Sequence, residues 1–184
     1  MNHFYENIQG WFSYPHIYSK VVAEATSPAH FVEVGAWKGR SSAYMAVEII
    51  NSKKDIKFDV VDTWKGSDEE AHISDPYIQT DTLYDLFISN LKPVEKYYTP
   101  KRMSSIEASK LYKDNSLDFV LLDASHTYVD VKADILAWLP KVKKGALLIG
   151  DDYFSGFPGV IQAVQEVIPT STIAVPHWIY RKET

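Results

Sequence analysis

Four acidic residues stand at positions where their side chains could do chemistry. Asp62, Asp123 and the adjacent pair Asp151 and Asp152 each follow directly on an apolar, strand-like run. Because the carboxyl ends of parallel strands meet at one edge of a sheet, we expect these acids to converge beside one crevice. Clustered like charges are costly unless a cation joins them. The pattern predicts either a site for a hard divalent cation or a set of acids that cap helices and bind only water.

The metal hypothesis uses three of these acids, and a histidine lies close to them in the chain. Asp123, Asp151 and Asp152 would ligate magnesium or a similar ion, since carboxylate oxygens and water are its preferred ligands. His126 lies three residues after Asp123. An imidazole, with an unperturbed pKa of about 6.5, suits a general base at neutral pH. The alternative for His126 is a packing role.

A glycine turn in residues 31–42 is the second chemical feature. Gly35 and Gly39 stand between an apolar strand and a helix start, and glycine lets the backbone approach a ligand closely. The free amides of the following helix point into the same space. Glu33, just before the turn, suits a cationic amine or hydroxyls better than a pyrophosphate. A tight strand-to-helix turn without a ligand is the alternative.

Asp62 adds an argument for a nucleoside ligand. A carboxylate at this strand end can accept hydrogen bonds from both hydroxyls of a ribose. Its alternative role is to cap a helix or turn. A nicotinamide-dependent oxidoreductase would share this acid, but its fingerprint requires a third glycine and a phosphate at the helix start, a pattern that residues 35–39 lack.

Short apolar runs alternate with longer amphipathic runs and predict the elements that must position these residues. The strand-like runs cover residues 31–34, 58–61, 117–122 and 146–149, and the helix-like runs cover residues 41–50, 83–91, 129–139 and 160–168. This alternation predicts a parallel sheet covered on both faces. Two short strands, residues 171–175 and 178–181, predict an antiparallel edge. The predicted fold class is therefore α/β: a Rossmann-like, doubly wound, mostly parallel sheet with an antiparallel C-terminal edge strand.

The motifs together resemble those of a known family. The segment Glu33-Val-Gly-Ala-Trp-Lys-Gly-Arg-Ser41, with Asp62 as the ribose-binding acid, resembles the glycine motif of class I S-adenosylmethionine-dependent methyltransferases. The segments Asp62-Thr-Trp-Lys-Gly66 and Asp123-Ala-Ser-His-Thr-Tyr128 resemble a compact branch of metal-dependent sugar and natural-product O-methyltransferases. The resemblance covers residues 30–155. It is specific for the fold and cofactor, and less specific for the substrate.

The resemblance implies a role for each residue around the cofactor. Gly35 and Gly39 would admit the methionine part, Glu33 would help to hold its amine, Ser41 or Ser42 would contact its carboxylate, and Trp64 would flank the adenine opposite Ser104 and Ser105. Metal-dependent relatives, including the catechol type, place an acid after the fourth strand and an acidic or amide pair after the fifth. Asp123, which would also border the cofactor, and the pair Asp151 and Asp152 match those positions. His126 lies roughly where the catechol type carries a basic residue.

The implied activity is O-methylation of a small hydroxylated, sugar-like acceptor, with S-adenosylmethionine and possible magnesium as cofactors. The main alternative is a non-catalytic partner subunit that binds S-adenosylmethionine. The polar and acidic residues 64–80 follow the ribose-binding acid, so they are expected to form either a lid that closes over the site or a solvated loop.

Composition sets the broader expectations. The chain has 184 residues, a net charge of −5 and no cysteine, which predicts one domain over residues 1–184, with residues 1–29 as an N-terminal helical segment. Without cysteine there are no disulfides and no thiolate metal sites. The acidic balance argues against nucleic acid, and no apolar run is long enough for a membrane span. We expect a cytoplasmic protein, and exposed aromatic residues such as Trp11 could form either a homodimer surface or an acceptor wall.

Overall fold

A single sheet of seven strands lies at the centre of the computed structural model, which describes residues 1–67 and 69–183. The strands are β1 (Ala29–Val34), β2 (Ile56–Asp62), β3 (Thr99–Arg102), β4 (Leu117–Leu122), β5 (Val142–Gly150), β6 (Thr172–Ala174) and β7 (His177–Arg181). The helices are α1 (Pro15–Glu24), α2 (Arg40–Ser52), α3 (Glu70–Ile73), α4 (Pro76–Gln79), α5 (Leu83–Asn90), α6 (Ser105–Ser109), α7 (Tyr128–Trp138) and α8 (Pro158–Val167). Among the described residues, no helix combines the length and apolar character needed to cross a bilayer.

The strand order is β3-β2-β1-β4-β5-β7-β6, and the first five strands run parallel. β7 is antiparallel to both β5 and β6. The predicted fold class is therefore confirmed. The strand order reverses between β1 and β4, which is where a doubly wound sheet opens a crevice at its carboxyl edge. Val34 pairs with both Val61 and Leu122, so the residues that follow these three strands lie side by side at that edge.

Both faces of the sheet are covered, as the nearly continuous apolar strands predict. Phe31 and Phe119 face one core, which α1, α2 and α5 complete. Val32 and Val120 face the other core, which α6, α7 and α8 complete. Adjacent strand residues serve opposite cores because side chains alternate along a strand. The central strands are thus packed on both faces, so the strand ends that border the crevice are fixed in position.

Three segments of the chain differ from the sequence expectation. β3 and α6 were not predicted, because the β3 sequence Thr-Pro-Lys-Arg is polar and contains proline, which is tolerated at a sheet edge. The predicted lid, residues 64–80, contains α3 and α4, and its residue 68 lies outside the described residues. The predicted helical segment, residues 1–29, is helical only at Tyr5–Asn7 and in α1, and Ala29 already belongs to β1.

Candidate active site

A cavity of about 800 Å³ opens at the carboxyl edge of the sheet, where β1, β2 and β4 end. Two segments border it from outside the sheet: the N-terminal strap, residues 9–13, and the cover segment, residues 66–67 and 69–79. Of the cover segment, Gly66, Ser67, Glu69, Ala71 and His72 line the cavity. Nine of the predicted site residues line the cavity, namely Gly35, Ser41, Asp62, Ser104, Ser105, Asp123, His126, Asp151 and Asp152. The convergence expected from the strand ends therefore occurs. Glu33, Gly39, Ser42 and Trp64 do not line the cavity.

The two glycines of the turn are required for different reasons. Both adopt a left-handed backbone, with φ of 91°. A Cβ on Gly35 would lie 1.8 Å from the carbonyl oxygen of Asp123, so glycine allows the ends of β1 and β4 to close beneath the cavity. A Cβ on Gly39 would lie 2.3 Å from Cδ1 of Leu91 and 2.9 Å from Cδ2 of Phe87. Glycine at position 39 is thus required by the packing of α5 and the residue after it, and its predicted role beside the methionine part stays a prediction.

Asp62 holds the glycine turn as well as facing the cavity. Its Oδ2 accepts hydrogen bonds from the amides of Ala36 and Trp37, at 2.8 and 2.9 Å, and its Oδ1 accepts one from the amide of Trp64 at 2.7 Å. A carboxylate has about four acceptor positions. Three are taken by the backbone, so Asp62 has about one left for a ligand hydroxyl, rather than the two that the sequence suggested.

Glu33 and Ser42 lie beneath the turn rather than in the cavity. Both are fully buried. The Tyr18 hydroxyl donates to Oε1 of Glu33 at 2.8 Å, and the Ser42 hydroxyl donates to Oε2. Burial raises the pKa of Glu33 to about 7, although hydrogen bonds from Ser41, Ser42 and Tyr18 oppose the rise. The expected contacts of Glu33 with the cofactor amine and of Ser42 with its carboxylate are therefore wrong, since each side chain is used by the other. Ser41 keeps access to the cavity.

Trp64 is in the core and does not flank a ligand. Its side chain is fully buried, its ring packs 4.8 Å from that of Tyr84 and 4.7 Å from that of Phe87, and its Nε1 donates to the carbonyl of Trp37 at 3.0 Å. The predicted contact with adenine is wrong, because the indole packs onto α5. Thr63 and Met103, which directly follow β2 and β3, line the cavity at this end. Sequence reasoning missed Met103 because β3 was not recognised.

The two predicted serines belong to the start of α6. Ser104 begins the helix with a capping box to Glu107, while the Ser105 hydroxyl donates to Asp134 and accepts from Nε1 of Trp138 at 2.8 Å. Asp134 also lines the cavity, and burial raises the pKa of its carboxyl to about 6 despite the opposing hydrogen bond from Ser105. Asp134 was missed, since a single acid within an amphipathic helix is usually structural.

The acidic cluster has a different membership from the predicted one. Nε2 of His126 lies 2.8 Å from Oδ2 of Asp152 and 3.9 Å from Oδ1 of Asp123. Ligand atoms of these three residues all lie within 4.8 Å of one another. Asp151 is engaged elsewhere, because its Oδ1 lies 2.8 Å from Nδ1 of His177 and its Oδ2 accepts from Ser13 at 3.1 Å. Asp151, which the sequence predicted as a metal ligand, therefore lies outside the group that the structure brings together, and His126 takes its place.

The protonation of His126 also differs from the expectation. Burial alone would lower the pKa of His126, but the nearby carboxylates of Asp123 and Asp152 outweigh it and raise the pKa to about 11. The two carboxylates thus favour the protonated imidazole, whereas the sequence argument for a general base used the pKa of a free histidine. Burial also raises the pKa of Asp123, to which the Tyr14 hydroxyl donates at 2.8 Å. His126 supplies the positive charge that joins the two acids.

The N-terminal strap contributes contacts that the sequence did not reveal. The Trp11 ring stacks on Trp37 of the glycine turn, with centroids 4.8 Å apart and planes 22° apart. Nζ of Lys38 contacts Gln9 of the strap at 2.8 Å and Asp75 of the cover segment at 2.5 Å. Exposed aromatic residues near the N-terminus were the available signal, but their partners are distant in the sequence.

Comparisons with known proteins place this site in a family. A sequence profile described as a methyltransferase domain matches residues 32–153, which include the glycine turn, Asp62 and the acidic cluster. The chain belongs to this methyltransferase domain family. Together with the fold, this confirms the predicted class I S-adenosylmethionine-dependent methyltransferase.

The chain is similar in sequence to one curated protein and in fold to several solved O-methyltransferases. It is 23% identical over 150 residues to uncharacterized protein y4gI of Sinorhizobium fredii; the match covers 82% of this chain and spans only 16% of that protein. The O-methyltransferase NovP has a TM-score of 0.70 at 17% identity, covering 92% of this chain and 79% of its own. CalS11, a TDP-rhamnose 3′-O-methyltransferase of calicheamicin biosynthesis, has a TM-score of 0.58 at 15% identity; the match covers 91% of this chain and 76% of CalS11. An S-adenosylmethionine-dependent O-methyltransferase of Thermotoga maritima has a TM-score of 0.58 at 15% identity; the match covers 86% of this chain and 52% of that protein.

The methyltransferase cavity fits S-adenosylmethionine on three observations. Its volume lies within the usual range for small-molecule sites, about 300–1,000 Å³. Asp62 keeps an acceptor position at the end of β2. Among the residues that the structure describes, the lining carries seven carboxylates, two basic side chains (Lys38 and Arg40) and two histidines, so it suits a cationic ligand. The carboxylates are Asp62, Glu69, Asp123, Asp130, Asp134, Asp151 and Asp152. The side chain of Lys38 is neutralised by Asp75.

Proposed function

We propose that this methyltransferase transfers a methyl group to a hydroxyl oxygen of a small hydroxylated, sugar-like acceptor. The observation that carries the proposal is that Asp123, His126 and Asp152 form one charged cluster in the same cavity as the ribose-end acid Asp62. Such a cluster can orient a hydroxyl group and take its proton beside the bound cofactor. NovP and CalS11, both O-methyltransferases by name, support oxygen as the acceptor atom, and the name of CalS11 supports a sugar.

When bound, S-adenosylmethionine supplies the methyl group: the acceptor oxygen bonds the methyl carbon while the carbon–sulfur bond breaks and its electron pair goes to sulfur. Asp62 and the glycine turn would hold the nucleoside and methionine parts at the carboxyl edge of the sheet. Asp152 accepts the hydroxyl proton at a carboxylate oxygen, because His126 is already protonated. His126 keeps Asp123 and Asp152 together in the absence of any other cation. This assignment replaces the histidine base expected from the sequence.

Asp123, Asp152 and His126 also fit a divalent cation that would displace the Nε2 proton of His126, since two carboxylate oxygens and that nitrogen lie within 4.8 Å of one another. Such an ion would lower the pKa of the acceptor hydroxyl and fix its position. Asp151 is not in the ligand set that we propose. Addition of EDTA should therefore lower turnover as Asp152→Ala does, while Asp151→Asn should have a smaller effect. Full turnover in EDTA would leave Asp152 as the proton acceptor without a metal ion.

An acceptor panel with methyl-labelled S-adenosylmethionine tests the activity directly. The panel contains free sugars, nucleotide-linked sugars and catechols, and mass spectrometry locates the added methyl group. We expect an oxygen-linked methyl group on a sugar-like acceptor. Asp152→Ala should reduce turnover by roughly 10²- to 10⁴-fold, the usual range for general acid–base groups, and leave S-adenosylhomocysteine affinity within a few-fold.

Asp114→Ala is the matched control for that variant, because Asp114 precedes β4 at the opposite edge of the sheet and pairs with Lys141. It should retain turnover. Labelling of a nitrogen or carbon atom would contradict the proposal, as would full activity in Asp152→Ala. Cofactor binding with no turnover on any acceptor would instead favour the non-catalytic partner subunit.

A further inference from the structure

We infer that Glu69 is a positioning residue through which the cover segment holds His126 in its working orientation. The inference rests on the proposed function, in which His126 joins the two active-site carboxylates. Glu69 follows β2 in sequence, whereas His126 follows β4, and the cover segment brings them together across the mouth of the cavity.

Glu69 and Asp152 contact opposite ends of the same imidazole. Oε1 of Glu69 lies 2.6 Å from Nδ1 of His126, and Oδ2 of Asp152 lies 2.8 Å from Nε2. Nδ1 donates to Glu69, because a carboxylate can only accept. The ring of Phe157 packs against the imidazole with centroids 4.2 Å apart. Phe157 packs against one face of the imidazole, and the Glu69 bond limits its rotation, so Nε2 stays beside Oδ2 of Asp152.

Glu69 is itself held by local backbone structure. Its carbonyl accepts the amides of His72 and Ile73, at 2.9 Å each, which begins α3. Its amide donates to the hydroxyl of Ser67 at 3.3 Å. The backbone of Glu69 is thus fixed at the start of a short helix, and its side chain is directed back across the cavity to His126.

The cover segment is also tied to the glycine turn. Asp75, at the start of α4, and Lys38, between the two glycines, form an ion pair of 2.5 Å in which both side chains are almost completely buried. The position of Glu69 therefore depends on the turn that holds the cofactor. Displacement of the glycine turn would move the cover segment and break the contact between Glu69 and His126. This dependence links cofactor binding to the orientation of His126.

Two variants and one control separate this role from a general effect on stability. Glu69→Ala removes the acceptor for Nδ1, whereas Glu69→Gln keeps an amide oxygen in nearly the same place. Glu70→Ala is the control, because Glu70 is the next residue, also acidic, and exposed. Melting temperatures of all three, with S-adenosylhomocysteine present, show whether each variant is folded.

The first readout is the rate at which the Nδ1 proton of His126 exchanges with solvent, measured by NMR on ¹⁵N-labelled protein with S-adenosylhomocysteine. This measurement requires no acceptor. The Nδ1 proton should exchange slowly with solvent in the wild type, in Glu69→Gln and in Glu70→Ala, and rapidly in Glu69→Ala. A slowly exchanging Nδ1 proton in Glu69→Ala, or a rapidly exchanging one in the folded Glu69→Gln variant, would overturn the inference.

The second readout is the steady-state kinetics with the acceptor found in the panel. Glu69→Ala should lower kcat by up to about 10²-fold, as misplacement of a reacting group does, while KM for S-adenosylmethionine stays within a few-fold. Glu69→Gln should restore most of kcat. Unchanged kcat in Glu69→Ala, together with a large loss in His126→Ala, would overturn the inference and spare the proposed function. Full activity in His126→Ala would overturn the role of His126, while the proton-exchange result would still decide whether Glu69 holds the ring.

Discussion

At the scale of single residues, Gly35 is the position where the backbone leaves least room. A Cβ there would meet the Asp123 carbonyl at 1.8 Å, whereas Gly145, at a similar φ of 78°, has nothing within 4 Å of a Cβ. Gly145→Ala should therefore cost only the left-handed conformation, about 1–2 kcal/mol. Gly35→Ala must also push the ends of β1 and β4 away from each other and should cost about 3 kcal/mol or more, or prevent folding.

Urea unfolding of both glycine variants measures this difference. Equal losses would show that the strand ends can separate at little cost, and the close approach of β1 and β4 would then not be the reason for the glycine.

Glu33 predicts a pH dependence of stability. Burial raises the pKa of Glu33 from 4.5 to about 7, so the folded state binds a proton more tightly than the unfolded state. Its contribution to stability is complete below pH 4.5 and is lost as the pH rises toward 7, by about 3 kcal/mol. Glu33→Gln cannot ionise, so its stability should change less between pH 5 and pH 8 than that of the wild type.

Urea unfolding at the two pH values checks the prediction. Glu70→Gln, at an exposed site, should keep the slope of the wild type. If Glu33→Gln also kept the wild-type slope, the pKa of the Glu33 carboxyl in the folded protein would be close to its ordinary value. The hydrogen bonds to Glu33 would then lower its pKa as much as burial raises it.

At the scale of elements, the buried pair of Lys38 and Asp75 joins the cover segment to the glycine turn. Lys38→Met should leave a carboxylate buried without its cation, a defect that typically costs about 3–5 kcal/mol. Local opening of the cover segment would expose the Asp75 carboxylate to water at the lowest free-energy cost. Limited proteolysis should therefore cut the variant within residues 69–79 faster than the wild type. S-adenosylhomocysteine should slow that cleavage in the wild type.

Lys92→Met is the control, since Lys92 forms an exposed pair with Glu95. It should leave the cleavage rate unchanged. Wild-type cleavage rates in Lys38→Met would mean that α3 and α4 are held by other contacts, and the link between turn and cover segment would be lost.

At the scale of the whole molecule, the cofactor pocket draws on β1, β2, β3 and β4, so a ligand there should stabilise the entire sheet. S-adenosylhomocysteine at 100 times its dissociation constant adds about 2.7 kcal/mol. For a chain of this length, each kcal/mol corresponds to about 2–4 °C in melting temperature. Asp62→Ala should weaken binding, because the variant loses the ligand acceptor and the amides of the glycine turn lose theirs.

Thermal unfolding with increasing S-adenosylhomocysteine measures both effects. Asp130→Ala is a useful comparison, because Asp130 also lines the cavity but accepts its hydrogen bonds within its own loop and helix start, from Ser125 and Thr127. A similar loss of affinity in both variants would show that cavity charge matters more than the specific position of Asp62.

The sequence alone determined the sheet and the edge at which the site forms. Apolar runs such as residues 117–122 carry enough local information to predict a buried strand, and the acids after them then share an edge in any parallel sheet. The β3 strand was missed because Thr-Pro-Lys-Arg pairs only at an edge and needs no apolar pattern. Alternation of side chains thus predicts central strands well and edge strands poorly.

Only the tertiary structure decided which predicted residues face the cavity and with what charge. Glu33 and Trp64 have the residue types of ligand contacts, but Tyr18 and α5 pack against them from outside the motif. Asp151 pairs with His177, and His126 is held by Glu69 and Asp152. His177, Glu69 and Asp152 lie 26 to 57 residues in sequence from the side chains that they contact. Burial and pKa depend on such neighbours in space, and residue type and spacing do not specify them.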